Sequence, residues 1–300
     1  DERGGRMSQS VVLTGWAGQV SLGQMAFVGV GAAVGAWCTV EHGWDPFVSM
    51  MIAGPLGAVV AVVVGLPALR LRGLYLAVTT LAVSLAASEW VFSNRAVGVI
   101  PSGSFERPAL FGRIALDTPM RLYYFALAVL LVVFVALRGI RRSRSGRVMV
   151  ALRDNEEGAA AFGVDPTRAK LAAFALSGFV ASWAGVVMVI HQASFRSVTY
   201  SAEESLTVFV ATVIGGLGSL TGAVLGAVFQ RGSQWLLPAP WSVLATGLGV
   251  LAVLLVLPDG LSGLFWRGRD TWLRRVARHA EGSGADGSDS DRSDAEVEAQ

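Results

Sequence analysis

RLYYFALAVLLVVFVALRGIRR (Arg121–Arg142), RVMVALRDNEEGAAAFGVDPTRAK (Arg147–Lys170) and LAAFALSGFVASWAGVVMVI (Leu171–Ile190) follow one another almost without a gap. The first and third are apolar runs near the ~20 residues a helix needs to cross a bilayer core. The first closes on a basic cluster, and positive charge beside a span marks its cytoplasmic end. The middle stretch is rich in alanine and charge, a helix-forming composition. A polar hairpin of this length between two spans is there to meet something in the aqueous phase. Read outward from it, the chain is an all-α polytopic integral membrane protein.

Composition agrees. Of 300 residues, 53% are hydrophobic and 15% charged, which excludes an ordinary soluble domain. The 36 glycines suit helices that pack closely in lipid. The formal charge of +2 comes from arginines beside spans, so it sets orientation and does not imply nucleic-acid binding. The single cysteine, Cys38, lies in an apolar run and offers neither a disulfide framework nor a metal cluster. No cofactor or metal is expected. DERGGRMSQS is polar and no signal-type processing site follows the first apolar run. The chain begins at Asp1 rather than Met, with only a short apolar stretch before Gly15. We expect the polar N-terminus, residues 1–7, to be truncated, with at least one further span upstream.

Hydropathy places helical segments near 8–17, 22–40, 47–67, 74–93, 121–139, 169–191, 205–215, 219–237 and 241–258, eight or nine in all. Together they make a transmembrane domain over 8–266, located in the cell membrane. Arg70 and Arg72, the group from Arg138 to Arg147, and the group from Arg267 to Arg278 should then all face the cytoplasm. The segment 94–120 and the turns near 41–46 and 192–204 fall outside. Residues 267–300 form a cytoplasmic tail, first basic and then acidic. From Ala280 onward it lacks the apolar residues needed to offset its ordering entropy, so it is expected to be disordered.

Segments 8–17 and 205–215 hold only about 10 residues each, half of what a straight crossing needs. Both run into glycine-rich breaks, Gly15 to Gly23 and Gly215 to Gly222. Irregular backbone at membrane depth is tolerated only where protein buries it or a cavity hydrates it. Paired broken helices in two halves of a transporter point to a translocation path. Gly18, Gln19, Ser21, Gly216, Gly218 and Ser219 are the path candidates. Close helix packing is the plainer use of the same glycines.

In the polar hairpin, the composition predicts one helix from Arg147 to Phe162. Gly163 stands at a glycine C-cap, and Asp165-Pro166 reads as an N-cap followed by proline at the first helical position. A short amphipathic helix joined rigidly to a span would pass a force directly to that span.

Asn155-Glu156-Glu157-Gly158-Ala159-Ala160-Ala161-Phe162-Gly163-Val164 resembles the E-x-A-A-x-x-x-G signature of ABC importer permeases, and in particular the permease subunits of branched-chain amino acid importers. Glu156 matches the acidic position, Ala159 the second alanine and Gly163 the glycine. Gly158 departs from the family's alanine, at about 1 kcal/mol of helix propensity. Residues 18–27, 66–77 and 215–226 resemble three further signatures of the family, in its order. The resemblance implies a coupling loop over 140–168 whose ATPase-docking residues include Asn155, Glu156, Glu157, Ala159 and Gly163. It also implies partners: two ATP-binding subunits, a second permease subunit and an extracytoplasmic substrate-binding protein. Lys170 is the only lysine in the chain and no glycine precedes it. A G-x-x-x-x-G-K-[ST] phosphate loop is therefore impossible, and the ATPase must be a separate chain.

Two other classes compete. An ion-coupled secondary transporter of a small polar solute would carry ionisable groups within its spans; Glu89 is the one clear instance, beside Glu203 and Glu204 at the start of a short segment. An intramembrane protease would need a pair such as Ser219 and His191.

Overall fold

The computed structural model describes residues 21–70, 74–93, 103–110, 112, 114–216 and 219–236, and the single positions 238, 241, 244, 247, 248 and 251. The first expected segment, most of the last one and the C-terminal tail lie outside the described residues. Among these, the helices are α1 (Gln24–His42), α2 (Pro46–Ala68), α3 (Leu74–Ala86, prolonged by a π-helical turn Ala87–Val91), α4 (Pro119–Arg142), α5 (Arg144–Asp154), α6 (Glu156–Ala161), α7 (Pro166–Gln192), α8 (Ala202–Gly215) and α9 (Leu220–Leu236). α1, α2, α4 and α7 are each long and apolar enough to cross a membrane; α8 and α9 form a sharply bent apolar pair, a broken span or a re-entrant loop. The chain is an all-α polytopic membrane protein.

α7 is the axis of the bundle, packed along both α1 and α2. Small residues make this possible. A Cβ on Gly31 or Gly185 would collide with backbone of the facing helix, at Ser182 and Val28 respectively, and one on Gly178 would lie 2.5 Å from the Gly57 carbonyl oxygen. With no hydrophobic drive between helices in lipid, such close backbone contact is what holds them. The Ser182 hydroxyl, fully buried, donates to the Phe27 carbonyl at 3.0 Å. Contacts advance together along α1 and α7 (Gly31 on Ser182, Gly35 on Val186 and Val189) and oppose each other along α2 and α7 (Gly54 on Trp183, Gly65 on Phe174). α1 is therefore parallel to α7, and α2 antiparallel.

The ends of the bundle sort as the arginines require. At one end Ala68 of α2, Leu76 of α3, Met149 of α5 and Ala173 and Phe174 of α7 form a buried cluster, beside Arg70 and the basic residues from Arg138 to Arg147. At the other, Gly103–Ser104 (β1) pairs antiparallel with Ser194–Phe195 (β4), while Ala109–Leu110 (β2) and Ile114–Ala115 (β3) close a small hairpin. The segment before α4 and the one after α7 thus lie together, as their shared placement outside the cytoplasm demands. The two-residue pairings themselves carry no sequence period and were not expected. α4 sits at the rim, with Leu131, Val132 and Val135 exposed as a lipid-facing surface requires.

The expected single helix over 147–162 is two helices. α5 ends at Asp154, Asn155 is extended (φ −155°, ψ 101°), and α6 starts afresh at Glu156. The physical reason is the Asn155 side chain, which accepts from Gly158 N at 2.8 Å and so caps a new helix.

Candidate functional site

The coupling segment is built step by step from local bonds. α4 stops at Arg142, whose carbonyl accepts from Arg147 Nη1 at 2.8 Å. Ser143 is extended, and its hydroxyl accepts from Gly146 N to cap α5. α5 then lies on the cytoplasmic cluster through Met149, with Leu152 also buried. Asn155 turns the chain into α6. Phe162 and Gly163 close it, Gly163 with φ +81°, the left-handed conformation that glycine adopts at least cost. Asp165 Oδ1 accepts from Thr167 N and Arg168 N at 2.9 and 3.2 Å, and Pro166 opens α7. The glycine turn and the Asp-Pro start stand where the sequence put them.

The five loop residues read from the sequence divide by role. Asn155 caps α6. Glu156 Oε1 accepts a hydrogen bond from Lys170 Nζ at 2.7 Å, an ion pair between α6 and α7. Ala159 is buried on the inward face of α6. Gly163 makes the turn. Asn155, Glu156 and Gly163 are exposed as well, and Glu157, which has no such role in the hairpin, faces solvent with Ala160, Ala161 and Phe162. Phe162 is 92% exposed, a large apolar side chain held away from the bundle at the end that carries the basic cluster. Sequence reading gave neither it nor Lys170 a role in this hairpin. The available signals were an aromatic residue beside a left-handed glycine, and the chain's one lysine.

Of the path candidates, Gly18, Gln19 and Gly218 lie outside the described residues. Ser21 is buried, and its hydroxyl has no hydrogen-bond partner among the described residues. It precedes a helix that starts inside the bundle: Gln24 Oε1 lies 3.5 Å from Ser177 Oγ, eleven residues into α7, or about 16 Å along its axis. Around this start stand hydroxyls from two elements, α3 and α8. Leu22 N donates to Thr80 Oγ1 at 2.9 Å, Met25 N donates to Ser205 Oγ at 3.1 Å, and Ser205 Oγ is 3.2 Å from Ser84 Oγ. Thr80, Ser84 and Ser205 are buried, and two of these hydroxyls accept from backbone N–H groups at the helix start that have no partner within the helix.

Gly216 carries the second break, with φ +107° where α8 meets α9 at a 117° bend. Ser219 Oγ accepts from Gly222 N at 3.2 Å, capping α9, and bonds Thr221 Oγ1 at 2.7 Å. That hydroxyl is committed to local structure. Cβ atoms on Gly215 and Gly226 would collide with the Gly222 and Ala211 carbonyls of the facing helix. Gly215, Gly222 and Gly226 therefore bring α8 and α9 into backbone contact, and Gly216 carries the positive φ at the end of α8.

Four long spans around a small-residue axis, two helix ends inside the bundle and an exposed, rigidly joined cytoplasmic helix define a membrane permease of the transport class. The chain belongs to the family described as the branched-chain amino acid transport system permease component, which it matches over residues 7–257. It is 29% identical to the high-affinity branched-chain amino acid transport system permease protein LivM of Salmonella typhimurium strain LT2, over 83% of this chain and 65% of the relative. The LivM protein of Escherichia coli strain K12 gives the same identity and coverage. It is also 28% identical to the autoinducer 2 import system permease protein LsrC of Enterobacter sp. strain 638, over 82% of this chain and 75% of the relative. The chain thus spans just under two thirds of the LivM proteins it matches. No solved structure matches it.

Proposed function

We propose that this chain is the membrane-spanning permease subunit of an ABC importer for branched-chain, aliphatic amino acids. Two separate ATP-binding subunits drive it, a second permease subunit completes the path, and an extracytoplasmic binding protein delivers substrate. The permease domain is 8–266, with the coupling loop at 140–168. One observation carries the reading: α6 presents Glu157, Ala160, Ala161 and Phe162 to the cytoplasm while its other face is fastened to α7. A partner that grips this face pulls on a span. Exposed aromatic anchors of this kind are the usual energetic centres of protein interfaces. Ser21, Gly216 and Ser219, with Gly18, Gln19 and Gly218, are proposed to border the path.

The amino-acid assignment draws on the family and on the LivM relatives. The LsrC relatives favour a second reading, import of a small polar solute that is not an amino acid. An ion-coupled mechanism draws little support: among the described residues no acidic or basic side chain is buried, and Glu89, Glu203 and Glu204 are exposed. The test is the reconstituted complex in proteoliposomes. Stimulation of ATP hydrolysis and uptake by L-leucine, L-isoleucine or L-valine is expected. Stimulation by autoinducer 2 alone would move the substrate to the second reading, and uptake without ATP would overturn the ABC mechanism.

A further inference from the structure

We propose that Glu156 and Lys170 form an internal strap that holds α6 to α7, so that the signature acidic residue acts by positioning α6 within this chain. The inference rests on the coupling-loop reading and deepens it. Three observations carry it. Lys170 Nζ and Glu156 Oε1 are 2.7 Å apart, and the Lys170 side chain is only 19% exposed, so its stem is packed and its ammonium has a fixed direction. Lys170 is the fifth residue of α7, just past its first turn. Glu156 is the first residue of α6, where an anion is favoured. The pair therefore joins the start of α6 to the second turn of α7.

The neighbouring groups leave Glu156 this task. Asp165 caps α7 and pairs with Arg168 at 3.1 Å. Glu157 lies on the exposed face, free of any ion pair among the described residues. Glu157 and Phe162, whose side chains make no bond within the hairpin, are the residues assigned to the ATPase contact. Between Glu156 and Lys170 runs the loop through Phe162–Val164, whose bend is fixed by Gly163. With the strap closed, the hairpin moves as one piece with α7. With it open, α6 swings on that bend and force from the partner is lost. Glu156 and Lys170 are positioning residues.

The discriminating experiment is a charge exchange in the complete importer, with L-leucine as the probe. Transport per ATP hydrolysed and retention of the ATPase on purification are measured together. Glu156→Lys and Lys170→Glu singly are expected to lower transport per ATP by about two- to fivefold, the range a partly exposed ion pair supports, with the ATPase retained. The double exchange E156K/K170E is expected to restore it to within about twofold of wild type. A double variant no better than Glu156→Lys alone, or a silent Lys170→Glu beside a Glu156→Lys that sheds the ATPase, overturns the strap. Phe162→Asp serves as the control for docking. If it releases the ATPase while rescue fails, the strap alone falls. If it keeps both ATPase and transport, and the strap variants are silent, the docking reading falls with it.

Discussion

Asn155 Oδ1 accepts from Gly158 N, and a Cβ at position 158 would stand 2.9 Å from Asn155 Nδ2. The family's alanine and this chain's cap compete for the same space. Helix propensity by itself says Gly158→Ala gains about 1 kcal/mol. Because the cap must shift to admit the methyl group, we expect no gain, and up to the ~0.5–2 kcal/mol of an N-cap lost. Amide exchange across 156–161 reads it: faster exchange in the variant supports the cap, and slower exchange would show that propensity wins.

Gly163 has φ +81° with open space around its Cα, so substitution there tests backbone conformation without collision. Gly163→Val is expected to cost about 1–2 kcal/mol locally and to weaken ATPase retention. Gly163→Asn, which tolerates the left-handed region, should behave nearly as wild type. Equal loss in both would mean that the glycine serves the interface by its size.

The Ser182 hydroxyl spans the contact between α1 and α7, and no room exists there for larger groups. Ser182→Ala should lower stability by about 0.6–1.5 kcal/mol, the worth of a hydrogen bond between membrane helices. Gly185→Leu should prevent assembly of the bundle, because its Cβ would meet the α1 backbone. Thermal unfolding in detergent, followed by size-exclusion, separates the two.

Tyr200 is fully buried, stacked on Phe195 at 5.2 Å and edge-on to Phe92, and its hydroxyl has no partner. An unmade buried hydrogen bond costs stability. Tyr200→Phe is therefore expected to leave the midpoint of thermal unfolding unchanged or raise it. A clear drop would reveal a partner bound at that hydroxyl in the membrane.

With Cys38→Ser as background, Ser219→Cys and Ser21→Cys should react with small water-soluble thiol reagents in at least one transport state if the breaks border a path. Protection in every state would assign these glycine strings to packing alone.

The long spans and the turn from Gly163 to Pro166 were legible because they rest on local properties: apolar length, glycine and proline chemistry. What escaped reading was tertiary. Ser84 and Ser205 are 121 residues apart, and nothing in either neighbourhood announces the other. Glu156 and Lys170 were both noticed, but as a docking residue and as a missing phosphate loop, because their pairing depends on how the hairpin folds back. The break at Asn155 was hidden by the alanine and charge on both sides of it, which favour helix whether or not a cap interrupts it. Phe162 looked like part of an amphipathic face, and only the packed α6 shows that face turned outward.

α7 has 27 residues and so measures about 40 Å, some 10 Å more than the hydrocarbon core. It is one unbroken rod, fastened to the coupling helix at one end and feeding at the other into Ser194–Phe195, which pairs with β1. A rigid lever of that length converts a tilt of about 5° at the cytoplasmic end into roughly 3.5 Å of travel at the far end, half the width of a small aliphatic side chain or more. Spin labels at Thr167 and Ser194, each paired with one on α4, would record whether the two ends move together. If they do, ATP-driven closure on the inside and release of the outer surface are a single displacement of one helix, and no relay of side chains across the membrane is needed.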